Sequence, residues 1–186
     1  MRRDQKKWSR VIWLCMALLL LSLTACGLAG ADRAGESDEP TRIGLGLSGL
    51  NYPDMPIGPY YVNGSWGGAV NAYNGCCKFA GGVSLPYPWR PGTTVEVKWS
   101  DDELYAKDPD ALYTAQVEVP KYERIYVGHL WVAFFPGRQV RVYASGVGPG
   151  HKDFPDGLKV PRTYCREQPG CLEWLKSRNP PREGHY

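Results

Sequence analysis

The chain has 186 residues, room for one domain, and no repeat of about 20 to 50 residues runs along it. Its formal charge of +3 is concentrated at the front: residues 1–25 hold five of the 22 Lys and Arg and one of the 19 Asp and Glu, leaving 17 positive and 18 negative charges beyond. A folded part so near neutrality lacks the clustered basic footprint of a nucleic-acid binder, and that class is excluded.

Arg2, Arg3, Lys6, Lys7 and Arg10 precede an apolar run from Val11 to Leu23 that is too short to span a bilayer comfortably and reads as an export signal. The run closes on Leu23-Thr-Ala-Cys26 with Gly27 behind it, which resembles the lipobox of bacterial lipoproteins. That resemblance implies a thioether from Cys26 to a diacylglycerol, removal of residues 1–25 and acylation of the new amino end. Several acyl chains, at about 0.8 kcal/mol per buried CH₂, anchor a protein durably. Gly27 stands where an Asp would retain such a lipoprotein at the inner membrane, so the outer membrane, periplasmic face, is the expected address. Residues 26–41, Cys26 followed by GLAGADRAGESDEPT, show no apolar period and read as a flexible tether of roughly 20 Å.

The single domain expected over residues 42–186 opens with Ile43 to Leu50, where Ile43, Leu45 and Leu47 alternate with Gly44, Gly46 and Ser48. Its glycines weaken it as a central strand, so an edge strand is expected. Ile57 to Val62 and Ser65 to Val70 flank Asn63-Gly64, the dipeptide best suited to a two-residue hairpin turn. Cys76 and Cys77 lead into Leu85-Pro-Tyr-Pro-Trp-Arg-Pro-Gly92, whose three prolines exclude helix and hold Trp89 and Arg90 out on a stiff loop. A presented aromatic and cation suggest recognition, but the favoured reading for a lone loop aromatic is that Trp89 caps the end of the sandwich and Arg90 is solvated. Thr93, Val95, Val97 and Trp99 then alternate with Thr94, Glu96 and Lys98 as a half-buried strand of the core sheet.

Ser100-Asp-Asp-Glu103 and Lys107-Asp-Pro-Asp110 cluster carboxylates without EF-hand spacing, and acidic turns are expected there. Tyr113 to Val119 alternates again, and Ile125 to Phe135 is apolar on both faces, as a strand buried between layers or beneath a covering segment is. Pro136-Gly-Arg138 turns it into Gln139 to Ser145. Gly146 to Pro161, which holds His151, Asp153 and Asp156, has no period and reads as a long surface loop available to a partner. Cys171 to Arg178 is expected to form one short helix before Pro180-Pro181. These elements predict an all-β fold, an antiparallel β-sandwich of about six or seven strands with a short C-terminal helix; an open barrel is the alternative.

Cys15 falls in the leader and Cys26 is lipidated, which leaves Cys76, Cys77, Cys165 and Cys171 in an oxidising compartment, where two disulfides are expected. A vicinal Cys76–Cys77 bond is strained, so the crossed pairings are preferred. They would staple the C-terminal segment to the core across loops of about 90 residues, worth roughly 4 to 5 kcal/mol. Adjacent cysteines fit a zinc site poorly, and neither metal nor cofactor is expected. His129, His151 and His185 sit in no catalytic motif, and Gly146-Val-Gly-Pro-Gly150 lacks the lysine and helix of a phosphate-binding loop. The expectation is a protein without catalysis. Tyr60, Tyr61, Trp66, Trp89 and Arg90 are of the types enriched at binding hot spots, and with His151 and Asp153 they form the partner-binding candidates.

Tyr60-Tyr-Val-Asn-Gly-Ser-Trp-Gly-Gly68, the cysteine pair, Leu85-Pro-Tyr-Pro-Trp-Arg-Pro-Gly92 and Val95-Glu-Val-Lys-Trp99, in that order, resemble a family of proteobacterial lipoproteins carrying a domain of unknown function. The resemblance runs from about Leu50 to Phe154. Some members look like immunity partners of type VI secretion phospholipase effectors. It therefore implies a membrane contact through the lipid anchor and a protein partner, a secreted phospholipase effector, with no catalytic residues to carry over. A structural or assembly lipoprotein of the outer-membrane envelope is the alternative, since the same tether and sandwich would serve it.

Overall fold

The computed structural model describes residues 41–75, 80–123 and 128–178. The export signal, Cys26, the tether up to residue 40, the Cys76 and Cys77 pair, residues 125–127 of the expected strand, and His185 lie outside the described residues. Within them the chain is mostly β, with nine strands in two sheets, and no helix is long and apolar enough to cross a membrane.

The four-stranded sheet contains β2 (Ile57–Val62), β3 (Ser65–Val70), β6 (Thr94–Asp101) and β7 (Tyr113–Glu118), antiparallel throughout in the order β3-β2-β6-β7. Its hairpin turns where the sequence places it, with Asn63 at φ 48° and Gly64 at φ 81°. The Asn63 side chain also accepts a hydrogen bond of 2.8 Å from the Glu96 amide, tying the turn to β6. Val95, Val97 and Trp99 are buried, as their alternation predicts.

The second sheet corrects two expectations. Its strand β1 (Arg42–Asn51) is central, not an edge: β8 (His129–Phe135) lies on one side, and β5 (Gly82–Pro86) and β4 (Asn74–Gly75) share the other. The β1–β8 pairing is parallel, from Gly46 against His129 to Asn51 against Phe134, so the fold is mixed where an antiparallel one was expected. β9 (Gln139–Ser145) closes the sheet antiparallel to β8. The glycines that argue against a central position instead allow close approach. A Cβ on Gly75 would stand 2.5 Å from the Gly49 carbonyl oxygen, and one on Gly49 would reach the Tyr60 ring at 3.0 Å.

Both sheets contribute to one core, with Leu45, Leu47, Leu130, Val132 and Phe134 from one and Tyr60, Val62, Val95, Val97 and Trp99 from the other. Each such side chain, fully withdrawn from water, contributes about 1.5–3 kcal/mol. The outer face of the β1–β8–β9 sheet buries a second cluster, in which Leu50, Trp131, Ala133 and Tyr143 meet Tyr52 and Phe154. β8 is thus apolar on both faces because it is covered on both, which matches the expectation for that part of it the structure describes. The covering comes from the 146–161 segment. Phe154 is 3% exposed and packs against Trp131 and Tyr143, so this stretch is less a free loop than a strap.

Three short α-helices complete the described structure. The expected acidic turn is instead α1 (Asp102–Lys107): the Asp101 carboxylate accepts a 2.8 Å hydrogen bond from the Leu104 amide, and Asp102 and Glu103 fill the first turn. Such a cap is worth about 1 kcal/mol, and first-turn acids complement the helix dipole. α2 (Pro161–Arg166), which sequence periodicity did not reveal, precedes α3 (Cys171–Arg178), which it did. The two are joined by a disulfide between Cys165 and Cys171, Cα atoms 5.4 Å apart. This overturns the preferred crossed pairing, since each C-terminal cysteine already holds the other and neither is left to staple the segment to Cys76 or Cys77.

Candidate functional site

The period of two along each strand decides the fate of the aromatic candidates. Tyr60 points inward and is wholly buried, its ring edge-on to Phe134 at 5.5 Å and so close to Gly67 that a Cβ there would overlap it. Burial pushes its phenol pKa well above the ordinary 10. It belongs to the core, not to a contact surface. Tyr61 and Trp66 face the other way, directly opposite each other across the β2–β3 hairpin. Tyr61 is half-buried and Trp66 is 53% exposed. Lys98 follows in the same cross-strand row, paired at 2.9 Å with Glu96.

Trp89 is half-buried rather than held out on the loop. It packs against the core, and its Nε1 donates to the Val119 carbonyl at 2.9 Å, which is the capping favoured from the sequence. Tyr122, buried nearby, donates from its hydroxyl to the Pro86 carbonyl, so the proline-rich loop is tied down at both ends of its apolar stretch. Arg90 remains exposed. His151 and Asp153 are exposed together on the strap over the opposite sheet face, where the Asp153 amide donates to His151 Nδ1 at 3.2 Å and Lys152 pairs with the Asp153 carboxylate at 2.8 Å. The structure therefore brings together Tyr61 with Trp66 and His151 with Asp153, and separates the rest.

A cleft of about 510 Å³ opens where β1, β6 and β8 end, a place the sequence reading did not single out. Asn51, buried at the end of β1 just before the lining residues, holds the chain that follows: Nδ2 donates to the Met55, Val70 and Asn71 carbonyls at 2.8, 3.2 and 3.2 Å. The next residue, Tyr52, stacks on Phe135 at 4.8 Å, meets Tyr164 of α2 edge-on at 5.3 Å, and donates from its hydroxyl to the Lys159 carbonyl at 2.6 Å. Tyr73 forms another wall, in the left-handed region at φ 48°. Its amide donates to the Pro53 carbonyl at 3.1 Å and its ring meets Trp174 edge-on, contacts that offset a backbone strain of about 1–3 kcal/mol.

Charge enters the cleft from the β8–β9 turn. Arg138, also left-handed at φ 61°, lies over the Tyr113 ring at 4.6 Å and pairs with Glu103 at 3.1 Å and with the buried Asp101 carboxylate at 3.7 Å. Asp54 stands exposed at the rim. Burial, reinforced by the neighbouring Asp54 carboxylate, raises the Tyr73 phenol above its usual pKa. The sequence signals for this site are Asp101 and Glu103 of the acidic stretch and the Pro136-Gly-Arg138 turn, which together form its charged wall. Among the described residues no three His, Cys, Asp or Glu side chains gather as a metal site requires.

No curated protein and no solved structure matches the chain. Residues 50–142, half of the chain, match the family model described as "Protein of unknown function (DUF3304)"; they take in the hairpin, the proline-rich loop and most of both sheets, and the chain belongs to that family.

Proposed function

We propose that the chain is a lipid-anchored periplasmic binding protein with a β-sandwich domain, an immunity protein that binds and blocks a type VI secretion lipase effector by occupancy and without turnover. The observation that carries this reading is the Tyr61–Trp66 pair. Two large aromatic side chains stand opposite each other on the outer face of a hairpin whose other face is locked into the core by Tyr60 and Val62. Side chains on a rigid strand pair lose little freedom when a partner closes over them, and tryptophan and tyrosine dominate binding hot spots. Attachment through Cys26 would keep that face beside the membrane a phospholipase attacks.

The test joins survival to complex formation. A strain lacking this gene is challenged by effector-secreting siblings, and the purified chain is titrated with purified effector. The expected outcome is loss of protection on deletion, a complex at micromolar concentration or below, and a loss of about 2 kcal/mol, roughly thirtyfold in affinity, for Trp66→Ala. Unchanged survival with no complex would sink the immunity reading in favour of a structural or assembly role in the envelope.

A further inference from the structure

We infer that the aromatic cleft at the end of the sheets binds a quaternary ammonium group, with the rings of Tyr73 and Tyr164 as its wall and the carboxylate of Asp54 as its counter-charge. The cleft has the volume of a small-molecule site, and aromatic rings line it beside four charged side chains. Three carboxylates, Asp54, Asp101 and Glu103, line it against one guanidinium, so two negative charges remain. Arg138 is committed to Asp101, Glu103 and the Tyr113 ring, whereas among the described residues no ion pair engages Asp54. The free charge of the cleft is therefore negative and sits at its mouth.

The walls select the kind of cation. Tyr73 and Tyr164 are half-buried and line the cleft, Tyr73 edge-on to Trp174 and Tyr164 edge-on to Tyr52. A cation over such a ring is stabilised by about 0.5–2 kcal/mol, and most when its water is easily shed. A primary ammonium or a guanidinium carries N–H donors that need acceptors all round. A trimethylammonium group carries none, and its methyl groups suit ring surfaces beside a single carboxylate. The same chemistry arrives either as a free amine such as choline or as the headgroup of a zwitterionic lipid. This site lies apart from Tyr61 and Trp66, so it stands or falls independently of the immunity reading.

The experiment is calorimetric titration of the full-length chain, purified in detergent, with choline, with its neutral isostere 3,3-dimethylbutanol, and with glycerophosphocholine. Choline is expected to bind at least about tenfold more tightly than the isostere, and Asp54→Asn to weaken it about fivefold. Tyr73→Leu is expected to abolish measurable binding, while Trp66→Ala, remote and exposed, leaves it unchanged. Because Tyr73 also supports α3, circular dichroism must show that its variant is folded, and Asp54→Asn, altering an exposed side chain, provides the independent check. Tighter binding of glycerophosphocholine than of choline assigns the lipid headgroup as the source; the reverse order assigns a free amine. Equal affinity for choline and the isostere, or an unchanged affinity in Asp54→Asn, overturns the inference and leaves a merely apolar cleft.

Discussion

Tyr60 and Tyr61 are adjacent and identical in side chain, yet one is sealed between sheets and the other faces outward opposite Trp66. The Tyr60 hydroxyl has no hydrogen-bond partner among the described residues. Removing a buried, unpaired hydroxyl relieves desolvation, so Tyr60→Phe should be neutral or stabilising by up to about 1 kcal/mol in urea denaturation. Gly67→Ala should lower stability by about 1–3 kcal/mol in the same assay, because its Cβ overlaps the Tyr60 ring and the β2–β3 hairpin must shift. A pH effect belongs at this scale too. His129 opens β8, its ring edge-on to Trp131, and burial lowers its pKa below the ordinary 6.5. The unfolded chain then binds a proton at higher pH than the folded chain does. The stability His129 contributes is present above about pH 6.5 and is lost as pH falls below it. Melting temperature should decline on that side, and His129→Gln should flatten the decline; an identical slope in the variant would remove His129 from the account.

Among the elements, the C-terminal helices make the sharpest prediction. The Cys165–Cys171 bridge closes a sequence separation of only 6, which in the chain-entropy model is worth about 2 kcal/mol, well short of a 90-residue staple. Replacing both cysteines by serine should cost about that much, and non-reducing peptide mapping should recover residues 165 and 171 in one linked fragment. A fragment joining either to Cys76 or Cys77 would contradict the bridge. Elements with a clear local pattern were legible beforehand: the Asn63-Gly64 hairpin, the alternation of β6 and β7, and the doubly apolar β8. β1 was read correctly as a strand but misplaced, because a glycine's penalty is local whereas its benefit at Gly49 depends on Tyr60 and on Gly75 of another strand. The cleft was hidden for a related reason. Tyr52, Tyr73, Arg138 and Tyr164 are far apart in sequence and meet only once the strand ends are superposed. Trp89 was ambiguous because the bond from its indole to Val119 crosses 30 positions that no local window contains.

For the molecule as a whole, the proposed anchor at Cys26 is the feature whose loss should be most visible. Cys26→Ala should abolish palmitate labelling and move the protein from the outer-membrane fraction to the soluble periplasm, with the fold of residues 41–178 unchanged by circular dichroism. Continued sedimentation with outer membranes and unaltered labelling would refute the lipoprotein reading.

The parallel pairing of β1 with β8 also dictates when the domain can assemble. Gly46 meets His129 across 83 positions, and the strap that carries Phe154 over the outer face arrives later still. A chain whose β8 has not yet joined leaves β1 with only β4 and β5 as strand neighbours, and its core open. Such long-range closure is slow compared with hairpin formation, which takes on the order of microseconds. The topology thus makes closure of the core wait for β8 and for the strap that follows it.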